Sequence, residues 1–244
     1  METSDTSKLK REFNILHEGN SLAKKEAIVQ LYEKLNTNKG DLSNKEYENL
    51  FKQNIRIILE CFNDKSDLVR ENASRILYLF ISRTNQLHDI IELVYEKLIE
   101  RSNCKDLEGI SHLPEQMRPT KNQKPHVVIN VIETIEEIRM IYLDILKDII
   151  ESADEDIIIH YMSETVDLVR VFLMDKELKI QIKACEVLTD FIDRYKQYLP
   201  NFAEIICQAL LLPLVSKKFK VRIVALRALK ELLYVGPFKQ SVSL

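Results

Sequence analysis

The chain of 244 residues holds 4 Gly, 6 Pro and no Trp, with 30% charged and 45% hydrophobic residues. So few turn-forming residues in so long a chain exclude a sandwich, a barrel or a doubly wound sheet, each of which needs many tight turns. A dispersed net charge of −3 gives no basic footprint for nucleic acid, and the Leu, Ile, Lys and Glu content is that of an all-α protein.

In chain order, the N-terminus METSDTSKLKREF is polar and has no apolar h-region, so it does not read as a secretory signal. Ala23, Lys24, Ala27, Gln30 and Leu31 mark a faint amphipathic helix. Residues 45–62 read as a helix, followed by 64–77, DKSDLVRENASRIL, and by another at 89–101. Segment 103–125, NCKDLEGISHLPEQMRPTKNQKP, holds three of the prolines and reads as a flexible loop. A helix through Ile138, Arg139, Tyr142, Ile145 and Leu146 follows, then helices at 156–174, 175–188, 198–215 and 217–234. The longest apolar run, 202–215, contains Glu204, Gln208 and Pro213 and is shorter than the ~20 residues of a membrane span. A cytoplasmic chain with no membrane partner is expected.

Sliding 64–77 along the sequence without gaps reveals a repeat. Val69 falls on Ile180 and Val221, Ala73 on Ala184 and Ala225, Ile76 on Val187 and Ala228, and Leu77 on Leu188 and Leu229. Ile138 begins a fourth copy and Ala23 a weaker fifth, so the anchors 23, 69, 138, 180 and 221 are spaced by 46, 69, 42 and 41 residues. Three of these spacings suit units of two helices at about 40–47 residues each, and the 103–125 loop supplies the excess of roughly 25 in the fourth.

The columns have physical roles. Alanine at 73, 184 and 225 lets a neighbouring helix approach, and the aliphatics three and four residues on share its face. Asp64, Asp175 and Ser216 precede each second helix as caps or turn residues. Arg70, Arg139 and Arg222 stand near helix N-termini, where a cation opposes the dipole and needs a partner. Asp64 and Asp175 are the expected partners, in a structural ladder that places Arg222 within reach of Asp175 as an exposed pair. Second helices of such arrays usually line the concave binding face, which puts Arg75, Asp144, Glu186 and Arg227 on it, with Lys183 and Lys230 nearby. Their mixed charge suits a polar protein partner.

No reaction announces itself. The glycines form no phosphate-cradling loop, and the histidines at 17, 88, 112, 126 and 160 have no zinc-ligand spacing to each other or to a cysteine. His160, on an otherwise apolar helix, reads as a satisfied or half-buried histidine. Cys61, Cys185 and Cys207 lie in apolar helical runs, where a free thiol acts as a small hydrophobe. Glu133, Glu136 and Glu137 fall early in a long helix, favourable for its dipole, and Asp154 or Asp156 caps the next one. The expectation is no enzyme, metal or cofactor.

The Asp…Val-Arg…Ala…Leu columns resemble those of HEAT repeats, from near residue 20 to near 235, which gives an α-solenoid of about five helix pairs. Three stretches, 63–77, EEIRMIYLDILKDII at 136–150 and PLVSKKFKVRIVALRALKELLYVG at 213–236, resemble the dynein axonemal assembly factor 5 family in order and spacing. That resemblance implies a cytoplasmic, non-enzymatic scaffold for preassembling axonemal dynein arms in ciliated cells. It implies dynein chains and chaperone-type assembly factors as partners. It also implies that residues 1–244 form one solenoid and the N-terminal part of a longer array. Alternatives of the same fold are a tubulin-binding TOG domain and a transport or phosphatase-scaffold adaptor; the missing Trp and the turns NDKSD and MDKEL are unlike a TOG edge.

Apolar side chains at 221–233 cover roughly 200° of the helical wheel. Val221, Ala225, Ala228 and Leu232 can meet their own pair. Leu226, Leu229 and Leu233 then form an uncovered strip, expected to take a further repeat or to cause self-association.

Overall fold

The computed structural model describes residues 4–37, 44–84, 87–102 and 133–235; the loop expected at 103–125 lies outside them. All regular elements among these residues are helical: α1 (Ser4–Glu18), α2 (Ser21–Thr37), α3 (Asn44–Cys61), α4 (Asp67–Ile81), α5 (Ile91–Ser102), α6 (Glu136–Ser152), α7 (Glu155–His160), α8 (Met162–Leu173), α9 (Leu178–Tyr195), α10 (Ala203–Leu214) and α11 (Phe219–Leu233). A 3₁₀ turn, Lys196–Tyr198, follows α9. The protein is an all-α repeat of helix pairs, with α2, α4, α6, α9 and α11 as the second helices.

Those five helices share one register because one face of each is apolar at helical spacing. Val69, Ala73, Ile76, Leu77 and Phe80 are buried on α4, and Ile180, Ala184, Val187, Leu188 and Phe191 fill the same columns on α9. On α6 the alanine column holds Tyr142, still buried. On α2, Ala27 and Leu31 are buried, but Gln30 is exposed, which explains the faintness of that copy.

Two elements differ from the sequence expectation. α1 was not foreseen; Leu9, Phe13 and Leu16, spaced i, i+4, i+7, make its buried stripe, and Lys34 on α2 reaches its buried Glu12 at 2.8 Å. The helix expected at 156–174 is divided at Tyr161 (φ −98°, ψ 24°) into α7 and α8. The Thr165 hydroxyl donates to Tyr161 O at 2.8 Å, and such back-bonding to the fourth preceding carbonyl bends helices.

Packing divides the chain into two compact units, residues 1–97 with 137–153, and 98–136 with 154–244. In the first, α1 packs on α2, α3 on α4, α2 on α4 and α1 on α3, while the Phe62 ring stacks on Tyr142 of α6 at 5.5 Å. In the second, α8 packs on α9, α10 on α11, α9 on α11 and α8 on α10. Each unit thus repeats two contacts, helix to helix within a pair and like helix to like helix between pairs.

Candidate protein-binding surface

Four second helices begin from one recurring turn. Asp64, Glu133, Asp175 and Ser216 each stand five residues before an anchor. Each accepts, through its side chain, the backbone N–H two residues on: Ser66 N to Asp64 Oδ1 at 2.8 Å, Ile135 N to Glu133 Oε1 at 3.1 Å, Glu177 N to Asp175 Oδ1 at 2.8 Å, and Lys218 N to Ser216 Oγ at 3.3 Å. These bonds satisfy donors that would otherwise be orphaned at the turn. In three of the turns the side chain six residues on closes the loop from the other side. Arg70 Nη1 donates to Asp64 O at 2.9 Å, Gln181 Nε2 to Asp175 O at 2.8 Å and Arg222 Nη1 to Ser216 O at 2.8 Å.

This geometry corrects the expected ladder. Arg222 reaches not Asp175 but the carbonyls of Ser216 and Lys217 in its own turn, the latter at 3.1 Å. Asp175 is 4% exposed and belongs to its own turn, so it is not half of an exposed pair. Arg70 adds a bond to Asp67 Oδ1 at 2.6 Å, also local. The physical reason lies in the turn: its carbonyls at 64, 175 and 216 need donors, and the side chain six residues on supplies one. One side chain therefore closes the turn while standing on the start of the helix that follows. Arg139, in the same column, is 2% exposed.

Glu133 also departs from expectation. It precedes α6 rather than opening it, is fully buried, and pairs with Arg101 at the end of α5, Nη2 to Oε2 at 2.9 Å. The signal was present in its offset from Ile138, which is the offset of Asp64 from Val69. Asp154 is the N-cap residue of α7, one of the two expected.

Of the candidate binding residues, Arg75, Asp144, Glu186 and Arg227 share a column two positions beyond the alanine column, and Lys183 and Lys230 lie beside it. In the first unit Arg75 is bonded to Glu71 on its own helix, with its guanidinium 5.6 Å from the centre of the Tyr32 ring. Asp144 is half-buried near Tyr78, whose phenol is pushed up by burial and then by the Asp148 and Asp144 carboxylates. In the second unit Lys183 is half-buried, while Glu186, Arg227 and Lys230 are exposed; Lys230 Nζ lies 3.2 Å from Glu231 Oε1. The column carries both signs of charge, which suits polar contacts to another protein.

Among the described residues no group of three His, Cys, Asp or Glu side chains could hold a metal ion. No described helix is long and apolar enough to cross a membrane. His160 is exposed, not half-buried, and meets Tyr161 edge-on at 4.8 Å. Cys61 and Cys185 are buried and Cys207 half-buried; burial pushes the first two thiols up to about 11 and about 12. Thiols so protonated are poor nucleophiles. Cys104, His112 and His126 lie outside the described residues.

A family model described as "Dynein axonemal assembly factor 5-like, TPR repeats" matches residues 15–120 and 127–242. The chain belongs to this family. The matched segments contain all five anchors, and their spacings of 41, 42 and 46 residues exceed the ~34 of a TPR unit, so the helix pairs of this member are of HEAT length. No curated protein sequence matches the chain. Among solved structures it is similar to a designed armadillo repeat protein in complex with the peptide (KR)4, at 14% identity and a TM-score of 0.62, over 93% of this chain and 85% of that one. An engineered protein matches at 13% identity and a TM-score of 0.56, over 92% of this chain and 47% of that chain. At such identities the likeness concerns the fold alone, which is the armadillo-like arrangement of stacked helix pairs seen in each unit.

Proposed function

We propose that this member of the dynein axonemal assembly factor 5-like family is a non-enzymatic, cytoplasmic scaffold for the preassembly of axonemal dynein arms. Its partners on this reading are dynein heavy and intermediate chains and chaperone-type assembly factors. The family match over both halves of the chain carries the proposal. The residue columns support it, because they give a repeat frame with outward-facing Arg75, Asp144, Lys183, Glu186, Arg227 and Lys230 and assign a structural role to each buried polar turn residue. Fold alone does not specify the partner, so the test must identify it. The chain, tagged in ciliating cells, should co-purify with dynein heavy and intermediate chains above the level of an unrelated HEAT-repeat control. Equal recovery with the control would sink the proposal, and co-sedimentation with tubulin would transfer the chain to the TOG reading.

A further inference from the structure

α11 is apolar on two opposite faces. Val221, Ala225, Ala228 and Leu232 are buried against the fold. Phe219, Ile223, Leu226 and Leu233, spaced i, i+4, i+7 and i+14, are 60%, 43%, 56% and 60% exposed and fall within an arc of about 80° at 100° per residue, an arc that also holds the exposed Lys230. Leu229, expected in this strip, is half-buried beside it.

The repeat register shows what this stripe is. The position of Leu226 is held by Ile28, Ser74, Leu143 and Cys185 in the other second helices, each 0% exposed. The position of Leu233 is held by Leu35, Ile81, Ile150 and Ile192, all buried. Where the neighbour is defined, it is the following second helix: α4 packs on α2 and α11 on α9. The stripe is therefore a helix-stacking face.

Charge selects the occupant. Lys217, Lys218, Lys220, Arg222, Arg227 and Lys230 lie on α11 and the turn before it, against the single carboxylate of Glu231. Lys220 and Arg227 project at about 80–100° from the centre of the stripe and Arg222 at about 60° on its other side, by the same wheel. A second copy of this chain would bring two such cationic rims together, which like-charge repulsion disfavours.

We infer that the outer face of α11 is a docking site for an acidic amphipathic helix supplied by a partner protein, its aliphatic stripe covering Leu226 and Leu233 and its flanking carboxylates meeting Lys220 and Arg227. This does not depend on the dynein reading, since any partner with such a helix satisfies it. The mode is a helix laid against an apolar strip and read through i, i+3, i+4, i+7 anchors.

The test uses the full 244-residue chain and two fluorescein-labelled model peptides with leucines at i, i+3, i+4 and i+7. One carries glutamate on its flanks and the other lysine at the same positions. By anisotropy the glutamate peptide should bind at least about tenfold more tightly than the lysine peptide, with an affinity that falls as salt rises. Leu226→Asp should remove that binding without lowering the melting temperature, because the side chain is exposed; Arg227→Glu should weaken it separately. Equal binding of the two peptides, no binding of either, or binding indifferent to Leu226→Asp would overturn the inference. So would a dimer in light scattering that Leu226→Asp dissolves, or anionic phospholipid vesicles that displace the glutamate peptide, since these give the face to a second copy or to a membrane.

Discussion

Arg101 and Glu133 join at 2.9 Å across the base of the segment between α5 and α6, and Glu133 N donates to Arg101 O at 3.2 Å as well. Two residues separated by 32 positions thus form a side-chain and a backbone contact with each other. Glu133 has no solvent exposure, and its other carboxylate oxygen accepts Ile135 N. Removing one partner of a buried pair leaves the other charge uncompensated, at a cost of about 3–5 kcal/mol. Glu133→Ala should therefore lower the free energy of urea unfolding by that order. Replacing both partners with apolar residues should recover part of the loss, since no buried charge then remains. A single substitution costing under about 1 kcal/mol would show that the pair does not close this connection.

The recurring turn predicts an unusual tolerance. Gln181 stands in the column of Arg70 and makes the equivalent bond to the carbonyl six residues before it. Arg70→Gln should keep that bond while losing the contact to Asp67, and cost less than Arg70→Ala by about 1 kcal/mol, the net worth of one hydrogen bond. Thermal unfolding of the two variants side by side decides it. Equal losses would mean that the guanidinium acts by charge rather than by reaching Asp64 O.

These turns also mark where sequence reading stopped. The register was legible because burial imposes a helical period, and Val69, Ala73 and Leu77 repeat it at 180, 184 and 188 and at 221, 225 and 229. Asp64 and Asp175 were legible as turn residues from side-chain chemistry alone. The partner of Arg222 was not, because alignment of columns says which edge a side chain occupies, whereas its acceptor is a backbone carbonyl that every residue type offers. Glu133 escaped because its helix starts later than periodicity suggested, at Glu136. The break at Tyr161 leaves no periodic signature. The outward column was legible as a column; which of its residues touch a partner is a matter of the partner.

Thiol reactivity gives a pH-dependent prediction. Burial raises Cys61 to about 11 and Cys185 to about 12, so at pH 8 roughly a thousandth or less of either is thiolate in the folded chain. Both should resist iodoacetamide until denaturant is added, while half-buried Cys207 is alkylated sooner. Because the folded values lie above the unfolded value of 9.0, folding favours the protonated thiol. That contribution is complete below pH 9 and is lost as pH rises towards 11 and 12. Rapid native alkylation of Cys185 at pH 8, read by mass spectrometry, would contradict its placement inside the repeat.

The alanine column supplies the last test. Ala27, Ala73, Ala184 and Ala225 are all within 2% of full burial, yet α6 places Tyr142 in the same column at 1%. The column therefore specifies a filled space rather than a small residue, and the size that fits depends on the neighbours. At α9 the adjoining helices leave room for a methyl group, and Ala184→Leu should destabilise by about 1–3 kcal/mol through overpacking. At α6 the Phe62 ring stacks on Tyr142 at 5.5 Å, so Tyr142→Ala should open a cavity and cost about 3–5 kcal/mol. The two substitutions change volume in opposite directions at equivalent positions, and both should lower the midpoint of chemical unfolding. Were Ala184→Leu neutral, the repeat register would be displaced at α9. Were Tyr142→Ala neutral, α6 would not be packed as its place in the first unit requires.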